Sequence, residues 1–168
     1  MLPGDSTVRV ALALFPFVTA TDAHARIIEF GVGRDDRAVE ILGVKYTMSG
    51  LTTAMNTTDR WAAALSENPE HLLTPPTQTF SFDDKAVYGF LQDVQHGSLT
   101  TTGAALKYTR TLQADLYGLL RPFRQVAIIW NNMREVVKFR MEVYYRPVYL
   151  NDDELEALNR QKGAYRRT

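Results

Sequence analysis

The sequence predicts a mainly β protein whose short strands close as an antiparallel sandwich or barrel. Three observations lead there. The run Glu135 to Tyr145 alternates strictly, with Val137, Phe139, Met141, Val143 and Tyr145 on one face and Val136, Lys138, Arg140, Glu142 and Tyr144 on the other. Other apolar runs of strand length recur along the chain between Gly, Pro and Asx turns, about seven or eight in all. The regular long helices that a parallel α/β sheet requires between its strands are missing.

Composition sets the frame. A chain of 168 residues is read as one domain spanning 1–168, large enough to bury a core without disulfides or metals. Nineteen Lys and Arg balance nineteen Asp and Glu, so no global field draws the chain to nucleic acid or anionic membrane. The absence of cysteine removes disulfide frameworks, thiolate nucleophiles and cysteine-ligated zinc. An apolar content of 45%, with eight Phe and eight Tyr, fits a folded domain.

In chain order, Val8, Val10, Leu12 and Leu14 share one face of a first strand. The run Val10 to Phe15 followed by Ala23-His24-Ala25 has the outline of a secretory signal. Asp5 stands where positive charge belongs, and Pro16 and Thr19 interrupt the apolar run, so a retained strand is expected and secretion is not. Thr19 to Asp22 reads as a connection, and Ile28, Phe30 and Val32 as a second strand. The Gly33 to Arg37 turn then leads into a third strand over 38–48, the pair reading as a β-hairpin.

Residues 52–76 read as a loop insertion carrying a short helix, with Thr57 or Thr58 as its cap, Trp61 and Leu65 at i, i+4, and Asn68-Pro69 as its end. Phe80 and Phe82 mark a short strand, and 86–95 fits either strand or helix. Leu106, Tyr108, Leu112, Ala114 and Leu116 share a strand face that only Arg110 breaks. The continuous run Val126 to Trp130 predicts a central strand buried on both faces, and Asn131-Asn132 a turn into the long alternating strand. Asn151 precedes Asp152, Asp153 and Glu154, the signature of a capped helix, so 151–168 reads as a short C-terminal helix with a basic tail.

Local signatures of chemistry fail one after another. His24, His71 and His96 lie far apart with no ligand spacing. Gly31-Val32-Gly33 begins like a dinucleotide loop, but Asp36 takes the third glycine position and a strand follows where a helix should start. There is no Gly-x-Ser-x-Gly and no Gly-Lys-Ser/Thr, and the carboxylate pairs Asp35-Asp36, Asp83-Asp84 and Asp152-Asp153 read as turn or cap residues. A sequon at Asn56-Thr57-Thr58 reads as chance. No enzyme, cofactor or metal is expected.

The C-terminal segment IIWNNMREVVKFRMEVYYRPVYLNDDELEAL resembles the closing segment of single jelly-roll capsid proteins of icosahedral viruses, and RIIEFGVGRDDRAVEILGVKYTM is similar to their outer strands. The resemblance covers about half the chain and rests on pattern, because these coats carry no invariant motif. It implies a jelly-roll β-sandwich of two four-stranded sheets that tiles a shell, located in the virion and assembled inside the host cell. The partners it implies are further copies of the chain, with a second coat protein or an inner membrane layer in addition. Met1 to Ser6 is short and acidic where many such coats carry a basic arm, which argues against genome binding by an arm.

Candidate subunit contacts are Trp61, Lys138, Arg140, Glu142, Tyr144, Arg146, Leu155 and Leu158. Arg160, Lys162, Arg166 and Arg167 are candidates for a weak contact with nucleic acid or an inner layer. The competing reading is a carbohydrate- or ligand-binding β-sandwich, for which Tyr88, Tyr117, Tyr144, Tyr149 and Trp61 would be the stacking rings.

Overall fold

A computed structural model describes residues 7–18, 22–32, 37–52, 57–75, 86–97, 106–131 and 137–165. Among the described residues eight strands run as β1 (Arg9–Val18), β2 (Asp22–Glu29), β3 (Ala38–Thr52), β4 (Thr57–Ser66), β5 (Val87–Gly97), β6 (Leu106–Arg121), β7 (Arg124–Asn131) and β8 (Val137–Val148). A 3-10 turn, Pro69–Leu72, follows β4, and the helix α1 (Asp152–Tyr165) follows β8.

The strands form two four-stranded sheets, β1-β8-β3-β6 (sheet A) and β2-β7-β4-β5 (sheet B), with every pairing antiparallel. The pairs β4–β5, β3–β6, β2–β7 and β1–β8 nest around the β4–β5 connection. This is the topology of one long hairpin wrapped into a sandwich, a jelly roll. The predicted fold class is therefore the one observed.

One sequence expectation is corrected by that wrapping. β2 and β3 do not form a hairpin: Ile28 of β2 pairs with Gln125 of β7, whereas Val39 of β3 pairs with Arg121 of β6 and Pro147 of β8. β7 and β8, which the sequence joins by a turn, likewise lie in different sheets, β7 in sheet B and β8 in sheet A. Turn residues say that the chain reverses, not whether it reverses within a sheet or between two.

The helix expected around Trp61 and Leu65 is strand β4, and the helical turn lies beyond it at Pro69–Leu72, with Asn68 as its N-cap rather than a terminator. A spacing of four residues matches a helical face and is also an even strand spacing, so the pair could not separate the two. Trp61, Ala63 and Leu65 join the core between the sheets. Ala62 and Ala64 join a second cluster, with Val126 and Ile128, on the outer side of sheet B. That second cluster is also why β7 reads as continuously apolar, and as expected β7 is central, between β2 and β4. The ambiguous stretch 86–95 belongs to β5; the strand expected around Phe80 and Phe82 lies outside the described residues.

Phe139 of β8 is the hub of the inter-sheet core. Its ring meets Trp61 edge-on at 5.3 Å, Phe15 edge-on at 6.1 Å and Tyr46 at 6.1 Å between ring centres. It thereby links β1, β3 and β8 of sheet A to β4 of sheet B. Gly31, just past β2, is held by Tyr145: its N–H donates to the Tyr145 hydroxyl at 2.7 Å, and that hydroxyl donates back to its carbonyl at 3.0 Å. Gly31, the first of the dinucleotide-like glycines, is therefore pinned to β8.

α1 begins as its sequence predicts. The Glu154 N–H donates to Asn151 Oδ1 at 2.9 Å, and the Asn151 N–H donates to Glu154 Oε2 at 3.0 Å, a reciprocal capping box. Arg37 adds an ion pair to Asp152. Leu155 and Leu158 pack with Ala38, Leu120, Val148 and Leu150, closing the end of sheet A. Asn151→Ala should lower the local stability of α1 by about 1 kcal/mol. Hydrogen exchange should then quicken over 152–158 while the global unfolding midpoint stays nearly unchanged.

Candidate contact surface

The outer face of sheet A holds most of the predicted contact residues. Side chains of β8 alternate, so Phe139, Met141, Val143 and Tyr145 are buried while Lys138, Arg140, Glu142, Tyr144 and Arg146 point outward. Register then aligns them in rows across the sheet. One row runs Leu12, Glu142, Lys45, Gln113 and the next Leu14, Arg140, Thr47, Thr111.

Each row therefore passes from apolar on β1, through charged on β8, to neutral polar on β6. The charges in the middle are answered within the chain. Glu142 accepts from Arg140 at 2.6 Å and sits 3.4 Å from Lys45 Nζ, and Arg146 lies 3.7 Å from Glu40. Exposed pairs of this kind add little stability. Their effect is to leave a face with little unanswered charge to repel a neighbouring protein surface.

The residues that sequence reasoning missed lie on β1 and at the residue just before it. Val8, Val10, Leu12 and Leu14 are 46%, 48%, 48% and 53% exposed, whereas Ala11, Ala13 and Phe15 face the core. A strand that is apolar on both faces does not say which face goes inward. The small residues go in here because Phe15 and Phe139 already fill the space between the sheets. The missed signal was the alternation of Ala with Val and Leu.

The other candidates fall elsewhere. Trp61 is 1% exposed, inside the sandwich, and Leu158 is 8% exposed under α1, so both side chains are engaged within the chain. Leu155 is half-buried in the same cluster as Leu158. Arg160 donates to Glu156 one helical turn away; the side chains of Lys162, Arg166 and Arg167 lie outside the described residues. Of the candidate stacking rings, Tyr88 is tied to Gln125, while Tyr117 lies on β6, Tyr144 on β8 and Tyr149 on the segment after it.

A second polar feature lies at one end of the sandwich. Tyr88 donates to Gln125 Oε1 at 2.7 Å, Gln125 Nε2 donates to the Pro122 carbonyl at 2.9 Å, and Arg121 lies over the Tyr88 ring at 4.9 Å and 3.7 Å from Glu67. Burial raises the Tyr88 hydroxyl well above its ordinary pKa; Arg121 pulls it back, while Glu67 and Tyr46 push it further up. Burial likewise raises Tyr46, whose hydroxyl donates to the Gly89 carbonyl at 2.7 Å. Beside this network is a groove of about 280 Å³ lined by Ile27, Glu67, Pro69, Leu72, Pro122, Arg124 and Val126.

His71 Nδ1 bonds to the Ser66 hydroxyl at 2.8 Å, but Ser66 is fully buried and also accepts from the Asn68 N–H, a loop-fixing role. Among the described residues no group of three His, Asp or Glu is placed to hold a metal, and no helix is long and apolar enough to cross a membrane.

Comparison with known proteins assigns no family to the chain. No protein-family model and no curated protein matches the chain. Among solved structures, the decameric BFDV capsid protein is similar at 13% identity and a TM-score of 0.33, covering 84% of this chain and 98% of that one. The 60-mer BFDV capsid protein is similar at 11% identity and a TM-score of 0.33, covering 87% and 96%.

Proposed function

We propose that this chain is a structural shell protein, a single jelly-roll capsid subunit that assembles into an icosahedral shell through symmetric or pseudo-symmetric contacts between its copies. The observation that carries the proposal is the outer face of sheet A, where an apolar stripe on β1 borders charges already neutralised by Glu142 and Glu40. Protein interfaces have this anatomy, an apolar patch with a polar surround that does not repel. A jelly roll supplies the rigid body, and closed symmetry turns weak repeated contacts into a stable shell. The virion is then the protein's place, reached by assembly inside the host cell.

Size-exclusion chromatography with light scattering, followed by negative-stain microscopy of early fractions over a range of salt and concentration, tests the reading. Rings, capsomers or shells are expected. A strict monomer under all conditions, with or without a co-expressed second coat protein, would sink it.

The groove beside Glu67 and Arg124 favours the second reading, a ligand-binding β-sandwich. Binding of a glycan or small molecule that Leu72→Trp abolishes, in a protein that never self-associates, would put that reading first.

A further inference from the structure

We infer that β1 is a two-fold pairing edge: two copies of the chain join antiparallel through β1, with Ala11 facing Ala11 of the other copy. This rests on the self-assembling reading above and names the surface through which one contact is made. β1 is an outer strand of sheet A, paired with β8 on one side and with no strand on the other among the described residues. Long apolar edges of this kind add strands from other chains unless charge, proline or a bulge blocks them.

The usual blocks are missing over the first half of the strand. From Val8 to Phe15 the single charged residue is Arg9, whose guanidinium donates to the Gly31 carbonyl at 2.7 Å and so is drawn back onto its own chain. The pairing of β1 with β8 stays regular from Arg9 to Phe15 and is irregular only beyond. Pro16 then ends the usable edge, because it has no N–H to donate.

Register follows from parity. Opposed residues in an antiparallel pair point to the same face, so a two-fold axis must pass through a residue position for stripe to meet stripe. Centred on Ala11, the pairing opposes Val8 to Leu14 and Val10 to Leu12, and all four exposed residues meet an apolar partner. Centred on Leu12 it would set Val8 against Pro16.

The occupant is therefore a second copy, because the strand is complementary to itself and the isologous pairing would extend sheet A across the axis. The four half-exposed side chains amount to something on the order of 300 Å² of patch. A stand-alone complex commonly buries roughly 800 Å² per partner. Backbone pairing must supply the remainder, and one such contact is weak unless repeated.

The chain has no cysteine, so single cysteines report without background. Val10→Cys and Leu12→Cys proteins, prepared separately and mixed under mild oxidation, should cross-link in the mixture and much less in either alone. Directly opposed strand residues lie within disulfide reach. Leu12→Lys, which places its charge opposite Glu142 on β8, should weaken self-association by about tenfold or more with circular dichroism and unfolding unchanged. Equal cross-linking in Leu12→Cys alone, or none in the mixture at concentrations where the wild type associates, would overturn the pairing. So would flotation with phosphatidylcholine vesicles that Leu12→Lys abolishes in the absence of cross-linking, which would give the stripe to lipid. Cross-linked dimers without shells would defeat the shell reading and leave the pairing standing. Shells that form from Leu12→Lys without cross-linking in the cysteine mixture would do the reverse.

Discussion

Phe139→Ala is expected to destabilise the protein by about 3–5 kcal/mol, the range for removing a buried aromatic ring. Phe139 is 4% exposed and touches three other rings, from β1, β3 and β4, so its loss opens a cavity where the two sheets meet. Edge-to-face contacts such as that with Trp61 add to what area alone supplies. For a chain of this length the melting temperature should fall by on the order of 10 °C. Urea unfolding measures the effect, and Phe139→Leu, which refills most of the volume, should recover more than half of it. A loss under about 1 kcal/mol would place Phe139 outside the inter-sheet core.

The same residue shows what the sequence could reveal. Phe139 sits in a strand that alternates over its whole length, and there alternation alone assigned both faces correctly. β6 and α1 were legible for similar reasons, a period of two in one and a capping box at Asn151 and Glu154 in the other.

Legibility ended where both sides of a strand are apolar. β4 reads Trp-Ala-Ala-Ala-Leu because one face meets sheet A and the other a second apolar cluster, and such a run carries no period to tell strand from helix. β1 failed differently: its strand was evident, but Val8, Val10, Leu12 and Leu14 face outward, and only the packing of Phe15 against Phe139 decides that. The network of Glu67, Tyr88, Arg121 and Gln125 had no local signal, since β5, the β6–β7 turn and the end of β4 meet only after wrapping.

Which strands share a sheet was equally hidden. The nested pairing sets Val39 of β3 against Arg121 of β6, more than half the chain away from the β-hairpin partner that the Gly33 to Arg37 turn suggested on β2. Contacts of such long range follow from global packing, and turn chemistry constrains only the reversal.

Stability is expected to fall steeply above about pH 10, the ordinary ionisation range of tyrosine. Tyr46 and Tyr88 are both raised above the ordinary tyrosine pKa, in each case first by burial of the phenol. The sign follows from proton counting. Above that value the unfolded chain gives up these protons while the folded protein keeps them, so the unfolded state binds fewer and is favoured as pH rises. The stabilisation is complete below the unfolded pKa and is lost progressively toward the folded one. Each tyrosine that stays protonated in the folded protein contributes a slope of about 1.4 kcal/mol per pH unit above the unfolded pKa. Urea midpoints taken between about pH 8 and pH 11.5 measure the slope, and tyrosinate absorbance should show Tyr46 and Tyr88 ionising only as the protein unfolds. Tyr46→Phe should lower stability at neutral pH by about 1 kcal/mol, because the Gly89 carbonyl loses its donor, and at the same time halve the alkaline slope. A slope unchanged in that variant would mean that the Tyr46 hydroxyl is open to solvent, and with it that β3 and β5 do not close over the core as the Tyr46–Gly89 bond requires.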